Sequence, residues 1–512
     1  MKTSQPASIK TRFAVSLIAS VIRGGISLAT GLLLARWLGA EDFGRMAFLL
    51  ASFLAFKQLL DMASSSAFFT FLSKRQRSRR FVSFYWRWVG IQFIFSLLIV
   101  GLLLPESITD FVWDGTSKPI IILALVATFM QQNVWSIASQ MAEAKRETIR
   151  VQRLNTIIVI IHFIVVIALW MGGKLFLPLL FTALIIEWSI AGWMAARMYH
   201  GQGDEKVDCC DEQDTAGTVF KEFWVYCKPF IPYVWLGFVY GFSDRWMLQH
   251  WGGSHEQAYY AVALQFSAVA LLATSSILRI FWKEVAEAKH QGNHEKVKKL
   301  YLKVSRGLYF FGALAAGGAL PWSSEIVQLL LGDVYLDGAF TLMLMFLYPI
   351  HQSMGQIGGT MLIATEHTRI HVIISLVFMA TSIVAVYFML APSTMIVPGL
   401  GLASQGLAIK MLVMQFIQVN VMAWFVARIF GWKYDWAYQV VGLSAAVLIG
   451  WVAKLLITSV ITAHVIVLMM GSAIFYLLFM GLFVYAMPWV AGMKRDEINV
   501  YLSIAAKKIR LK

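Results

Sequence analysis

Ile22-Arg23-Gly24-Gly25-Ile26-Ser27-Leu28-Ala29-Thr30-Gly31-Leu32-Leu33-Leu34-Ala35-Arg36-Trp37-Leu38-Gly39-Ala40-Glu41-Asp42-Phe43-Gly44 decides how the rest of this chain is read. After Arg23 the run stays apolar until Arg36-Trp37, then breaks at a turn with a glycine at each end and two acids inside. Apolar residues resume at Met46 and continue to Leu60, with Lys57 the one charge before Asp61. A helix crosses a bilayer core of about 30 Å with roughly 20 apolar residues. Two such runs joined by a short polar turn read as two membrane-spanning helices. In hydrocarbon only a helix or a closed barrel satisfies its own backbone hydrogen bonds, and unbroken runs of this length are helical.

The remainder of the 512 residues repeats the pattern. The chain is 59% hydrophobic and 14% charged, against roughly 45–50% and about 25% in soluble domains. Its mean hydropathy of +0.68 agrees. Apolar runs between polar breaks fall near 10–38, 44–72, 81–104, 119–142, 154–172, 177–198, 223–250, 258–281, 306–331, 340–364, 371–390, 401–427, 438–458 and 464–487. The expected fold class is therefore an all-α polytopic membrane protein of about 14 transmembrane helices. The run 306–331 is irregular, because Pro321, Ser323, Ser324 and Glu325 interrupt it. The first run is too long for a cleavable signal peptide, carries Arg23 and Arg36, and lacks a small-residue cleavage site.

Fourteen spans place both ends on one side, and Lys/Arg bias identifies it. Of the 43 basic residues, 32 fall in the termini and loops of one side, 5 on the other and 6 inside spans. That skew orients both termini to the cytoplasm and accounts for most of the net charge of +15. Opposite-side loops are short, the longest being Pro105–Lys118, so no extracytoplasmic domain is expected. The segment 199–222 is acidic and reads as a joint. Residues 282–305, rich in lysine, and the basic tail 488–512 read first as topology anchors; the alternative is an amphipathic helix on the membrane surface, attracted to anionic headgroups by about 1 kcal/mol per cation. No basic patch belongs to a soluble domain, so nucleic acid is not an expected partner.

Ala35-Arg36-Trp37-Leu38-Gly39 with Phe43-Gly44 is echoed by Asp244-Arg245-Trp246-Met247-Leu248, Gly252-Gly253 and Ala258-Tyr259-Tyr260. Each follows an apolar helix and precedes another that ends in a basic segment. The repeat is parallel, which suggests a transporter whose halves move against each other. It divides the chain into an N-terminal lobe 1–200, a linker 201–222, a C-terminal lobe 223–430, two added helices in 431–487 and the tail 488–512.

Charges inside spans cost about 2.5–3.5 kcal/mol at mid-bilayer, so they normally face a cavity or a partner. Arg23, Lys57 and Asp61 come to similar depth if the first two helices are neighbours. Lys57 and Asp61 are four residues apart on one helix face. A packing ion pair is the competing reading for those two, and it leaves Arg23 without a local counter-charge. A net positive cavity suits phosphate, which Arg meets in bidentate fashion and Lys as a point charge. In the second half, Lys228 and Arg245 are the matching cations, Asp244 is an acid beside Arg245, and Pro229 and Pro232 kink the helix. Asp61, Glu187 and Asp244 are the candidates for ion pairing or coupling. Glu187 shows no partner in sequence, and His162 and His351 read as packed polar residues. Lys410 and Lys454 read as snorkelling cations.

No catalytic or metal motif is present: no Walker glycine loop, no GxSxG, no HExxH. Cys209, Cys210 and Cys227 show no pairing or metal-ligand spacing. The chain reads as a non-enzyme without a resident cofactor.

The motif Ile22-Arg23-Gly24-Gly25 through Leu32–Gly44 resembles the first helix and turn of the O-antigen and exopolysaccharide flippases. These belong to the multidrug/oligosaccharidyl-lipid/polysaccharide exporter (MOP) superfamily. The proline-containing helix with Ser243-Asp244-Arg245, Leu329-Leu330-Leu331-Gly332-Asp333-Val334-Tyr335 and Gly399–Gly406 are similar to later parts of that family. The resemblance covers about 10–430. It implies two six-helix lobes around a central cavity, two added helices, and a bacterial inner-membrane location. It also implies translocation of an undecaprenyl-pyrophosphate-linked oligosaccharide by alternating access, with Arg23 and Lys57 matching the cationic cavity. Membrane lipids, a polysaccharide polymerase and a chain-length regulator are the implied partners, and proton or sodium coupling is left open. A multidrug extruder of the same superfamily and a membrane-embedded polysaccharide polymerase or ligase are the alternatives. The first would need cavity acids, and the second a large external loop that this chain lacks.

Overall fold

A computed structural model describes residues 9–75, 77–200 and 214–500, and among them every regular element is helical and there is no strand. Cys209, Cys210 and most of the acidic joint lie outside the described residues, as do Lys507, Lys508, Arg510 and Lys512 of the tail. Ten helical stretches among the described residues are long and apolar enough to cross a membrane, and the protein is a multi-pass membrane protein. The first of the ten, Ile18–Asp61, covers most of two expected spans, 10–38 and 44–72. The expected spans 223–250, 258–281 and 306–331 are helical and are not among the ten.

The two opening spans form one helical element, α1 (Ile9–Asp61), bent at Gly39, where φ is 81° and ψ 167°. Only glycine takes that backbone conformation without strain. Residues 44–72 do not form one helix, however. Met62 and Ala63 both have positive φ, and a separate α2 (Ser64–Lys74) follows. After α3 (Arg79–Leu97) comes a π-helical stretch, Leu98–Leu103, and then the short α4 (Glu106–Trp113). The fourth span is α5 (Lys118–Phe129), a π turn Met130–Val134 and α6 (Trp135–Ala144). Then come α7 (Thr148–Met171), α8 (Leu177–His200) and α9 (Ala216–Cys227). Pro229 sits in a 3-10 turn, Lys228–Phe230, that interrupts the seventh span before α10 (Ile231–His290).

One feature of the repeat, the glycine bend, recurs in the backbone. Within α10, Gly253 has φ 81° and ψ −178°, nearly the conformation of Gly39. Its register corrects the sequence comparison: Trp37 and Trp251, each two residues before the bend, are the equivalent pair, and Arg36 matches His250 rather than Arg245.

The lysine-rich 282–305 is not one surface helix. It is the end of α10, a turn at Gly292 (φ 68°) and the start of α11 (His294–Ala319), capped by Asn293. Pro321 closes α11 in a 3-10 turn, and α12 (Ser323–Leu331) follows, so the ninth span is a long helix ending in a short one. The remainder is α13 (Ala339–Met345), α14 (Tyr348–Ala364), α15 (Thr368–Leu390), α16 (Ala403–Ile429), α17 (Ala437–Val460) and α18 (Val465–Ala486).

The chain divides into two compact units, residues 1–258 with 386–403, and residues 259–385 with 404–512. In the first, α1 packs on α5 and α7, and α8 on α5, α6 and α7. One end of this unit is sealed by stacked aromatics: Phe68, Phe81 and Tyr85 meet Phe223 of α9. In the second, α11 packs on α14 and α17. There the Gly317 carbonyl occupies the place where a side chain on Gly450 would begin. Small residues of this kind let membrane helices approach backbone to backbone.

Candidate functional site

Arg23 and Lys57 lie 16 residues before and 18 after Gly39, or about 24 and 27 Å along their two helical arms at 1.5 Å per residue. Their neighbours differ. Arg23 reaches α7: its Nη1 donates to the Gln152 carbonyl (3.5 Å) and the Thr156 hydroxyl (3.4 Å), and its Nη2 to the Ser20 hydroxyl (3.1 Å). Glu143, at the end of α6, is close enough to act on its charge. Arg23 therefore has the counter-charge that the sequence did not reveal. Gln152 spans the two, donating to Glu143 Oε1 (3.4 Å) while its own Oε1 is buried without a partner.

Lys57 faces a small cavity that it lines with Phe53, Ser96, Phe129 and Asn133. Among the described residues no hydrogen bond or ion pair occupies its ammonium. Asn133, in the π turn, has a buried Oδ1 with no partner. π turns of this kind are frequent at functional sites.

Asp61 does not pair with Lys57. Its Oδ1 accepts from the Ser65 N–H (3.0 Å) and the Ser64 hydroxyl (3.1 Å), and its Oδ2 from the Ser65 hydroxyl (2.8 Å). Its carboxylate thus takes an N–H in the first turn of α2, across the strained Met62–Ala63 break. It also stands at the edge of a cavity of about 290 Å³ walled by Phe84, Tyr85, Trp88, Phe223 and Trp224.

Glu187 has a partner that the sequence did not show. His162 Nδ1 lies 2.8 Å from its Oε2. Glu187 is 7% exposed, and its Oε1 has no partner. The missed signal was distance from the turn: His162 is ten residues before Gly172, and Glu187 ten after Leu177.

In the seventh span, Lys228 is exposed in its 3-10 turn. Arg245 braces the Gly253 bend: its Nη1 donates to Gln257 Oε1 (3.2 Å), and the Gln257 amide donates back to the Arg245 carbonyl. Asp244 is buried beside it. The bend itself abuts the first one, since the backbone of Gly44 lies against the Ser254 carbonyl with no room for a methyl. Gln249 donates to Asp114 (2.9 Å) at the same end. Lys454 does not snorkel. It pairs with Glu325 and donates to the Pro321 carbonyl (2.7 Å). Lys410 is also fully buried.

No protein-family model matches this chain, and no curated protein matches its sequence. Solved structures do match. A lipid II flippase, MurJ, in an inward closed conformation is similar over 93% of this chain and 99% of its own, with 14% identity and a TM-score of 0.70. An inward-facing multidrug-resistance MATE transporter of the MOP superfamily covers 82% and 98%, with 14% identity and a TM-score of 0.59. A MOP superfamily transporter from Pyrococcus furiosus, described as having a binding pocket of reversed polarity, covers 84% and 99% at 12% identity and a TM-score of 0.55. The helical fold, with charged and polar groups held inside its spans, is similar to the folds of these solved transporters. At these identities the likeness is one of fold, and that fold is shared with MOP superfamily transporters.

Proposed function

We propose that this protein translocates an undecaprenyl-pyrophosphate-linked oligosaccharide across the bacterial cytoplasmic membrane by alternating access, in the assembly of O-antigen, capsule or exopolysaccharide. The observation that carries the reading is Lys57. It is a cation on a membrane helix, and among the described residues no carboxylate neutralises it. Leaving such a charge inside the bilayer costs a few kcal/mol, and an anionic headgroup entering beside it removes that cost. Arg23 is held by weak polar contacts of 3.4–3.5 Å on one nitrogen, which a phosphate oxygen can replace with a charge-assisted bond. The fold of a lipid II flippase over nearly the whole chain supports a lipid-linked substrate. In this reading Lys228 meets the headgroup at the cytoplasmic surface, and Arg245 and Asp244 hold the opposite bend.

The test is the double substitution R23Q/K57Q in the native strain. Surface glycan should fall to the level of a deletion strain, with membrane levels of the protein unchanged. Export that continues at the wild-type rate rules out the cationic site.

Asp61 favours a second reading. Its carboxylate has no cationic partner among the described residues and borders an aromatic cavity, which suits an organic cation. A multidrug extruder would raise drug susceptibility on deletion and leave glycan export intact.

A further inference from the structure

We propose that His162 and Glu187 form a proton-binding site at the centre of the membrane, separate from Arg23 and Lys57, through which translocation responds to a proton gradient. Three observations carry it. The first is depth. Ten residues from the turn is about 15 Å, half of a core about 30 Å thick, on both helices. In 154–171 and 177–196 these are the two titratable side chains. The second is the contact, 2.8 Å between Nδ1 and Oε2. The third is the buried Glu187 Oε1, which no donor occupies. A group built solely to fix helix packing would be expected to satisfy both oxygens, since an orphaned buried acceptor costs about 1–3 kcal/mol.

With one proton shared between Nδ1 and Oε2 the pair is neutral, the cheapest state in hydrocarbon. A second proton goes to Oε1, leaving imidazolium and carboxylic acid with a net charge of +1. Its release to water restores neutrality. The charged groups on elements packed against α7 and α8 include Arg36 of α1, next to Trp37, which stacks on Trp170 eight residues from His162. Lys118 begins α5 and Glu143 ends α6, Arg150 and Arg153 lie in the first turns of α7, and Arg197 is near the end of α8. Arg23 on α1 is the nearest along α7, bonded to Thr156, six residues or about 9 Å from His162. Added charge on the pair is thus felt along one helix by the group proposed to hold the substrate headgroup.

The link to translocation rests on the flippase reading, whereas the proton site does not. Infrared difference spectra of the purified full-length protein in lipid nanodiscs, recorded across a pH titration, should show a protonated-carboxyl stretch. That band should vanish in Glu187→Gln and move in His162→Asn. Glutamine keeps the size and a hydrogen bond to Nδ1, and an unchanged melting temperature confirms folding. A band that persists in Glu187→Gln, or its absence from the wild type, overturns the site. In proteoliposomes carrying labelled undecaprenyl-pyrophosphate-linked oligosaccharide, an imposed pH gradient at clamped potential should accelerate movement in the wild type. Glu187→Gln should lose that acceleration and keep movement driven by potential alone. Equal acceleration in Glu187→Gln overturns the coupling. If the band behaves as expected and no condition moves the glycan, the flippase reading fails and the proton site stands.

Discussion

Lys57 and Asp61 stand four residues apart, and on an uninterrupted helix that spacing puts them on one face. The helix ends at Asp61, though, and α2 opens with N–H groups that no preceding turn can accept. Ser64 and Ser65 bring donors to the carboxylate at 2.8–3.1 Å, so these local hydrogen bonds win over the ion pair. Asp61→Ala should therefore lower the stability of the detergent-solubilised protein by about 1–2 kcal/mol. In a double-mutant cycle read by thermal unfolding, Asp61 and Ser65 should couple, while Asp61 and Lys57 should add within about 0.5 kcal/mol. Strong coupling of Asp61 to Lys57 would restore the ion pair. Charge inside the bilayer is visible in sequence because it is rare there, so Arg23, Lys57, Asp61 and Glu187 stand out. Direction is not visible: the meeting of His162 with Glu187, and of Arg23 with Thr156, is set by the rotation of α7 against α8 and α1.

At the scale of elements, unbroken apolar runs were readable as helices because length alone identifies them. The breaks were readable only where the chain announces them chemically, as at Gly39, Pro229 and Pro321. The Met62–Ala63 break has no glycine or proline, and the two π turns fall within continuous apolar or amide-rich sequence. These are imposed by the hydrogen bonds at Asp61 and by packing. Helix contacts made by small residues were also hidden, since a glycine in a span has no signature of its own partner. The α11–α17 crossing depends on one. A side chain at Gly450 would meet the Gly317 carbonyl, and overpacking of this kind costs about 1–3 kcal/mol or more. Gly450→Leu should lower the melting temperature and the yield of folded protein. Gly481→Leu on α18, with nothing within 4 Å of its missing Cβ, should do neither. Equal tolerance of both would show that the crossing is loose.

Across the first unit as a whole, polar contacts gather at two ends, and they alternate along the chain as successive crossings require. At one end lie Trp37 stacked on Trp170, Gly44 on Ser254 and Asp114 with Gln249. At the other lie Lys145 on the Tyr199 carbonyl and the loop before α3 held by the start of α9. That second end is a charged fastening. Arg77, stacked over Phe81, donates to Asp214 (2.9 Å) and Glu222 (2.7 Å), and the Ser78 N–H donates to Asp214 (3.1 Å). Any cycle that moves α9 away from α2 and α3 must break it. Burial alone would raise the Asp214 carboxyl, but the Ser78 backbone N–H, the Ser78 hydroxyl and Arg77 outweigh it and hold the group below its ordinary value. A carboxyl lowered on folding stabilises the contact at every pH above its ordinary value of about 4. It loses that contribution as pH falls through the lowered value. Hydrogen exchange at Ser78 and the first turn of α3, corrected for intrinsic rates, should therefore stay slow from neutral pH down to about pH 5 and quicken below about pH 4. Asp214→Asn should exchange quickly across the whole range, because it keeps the shape and loses the charge. Protection in Asp214→Asn equal to that of the wild type at neutral pH would mean that the aromatic seal around Phe223 holds this end shut without the ion pair.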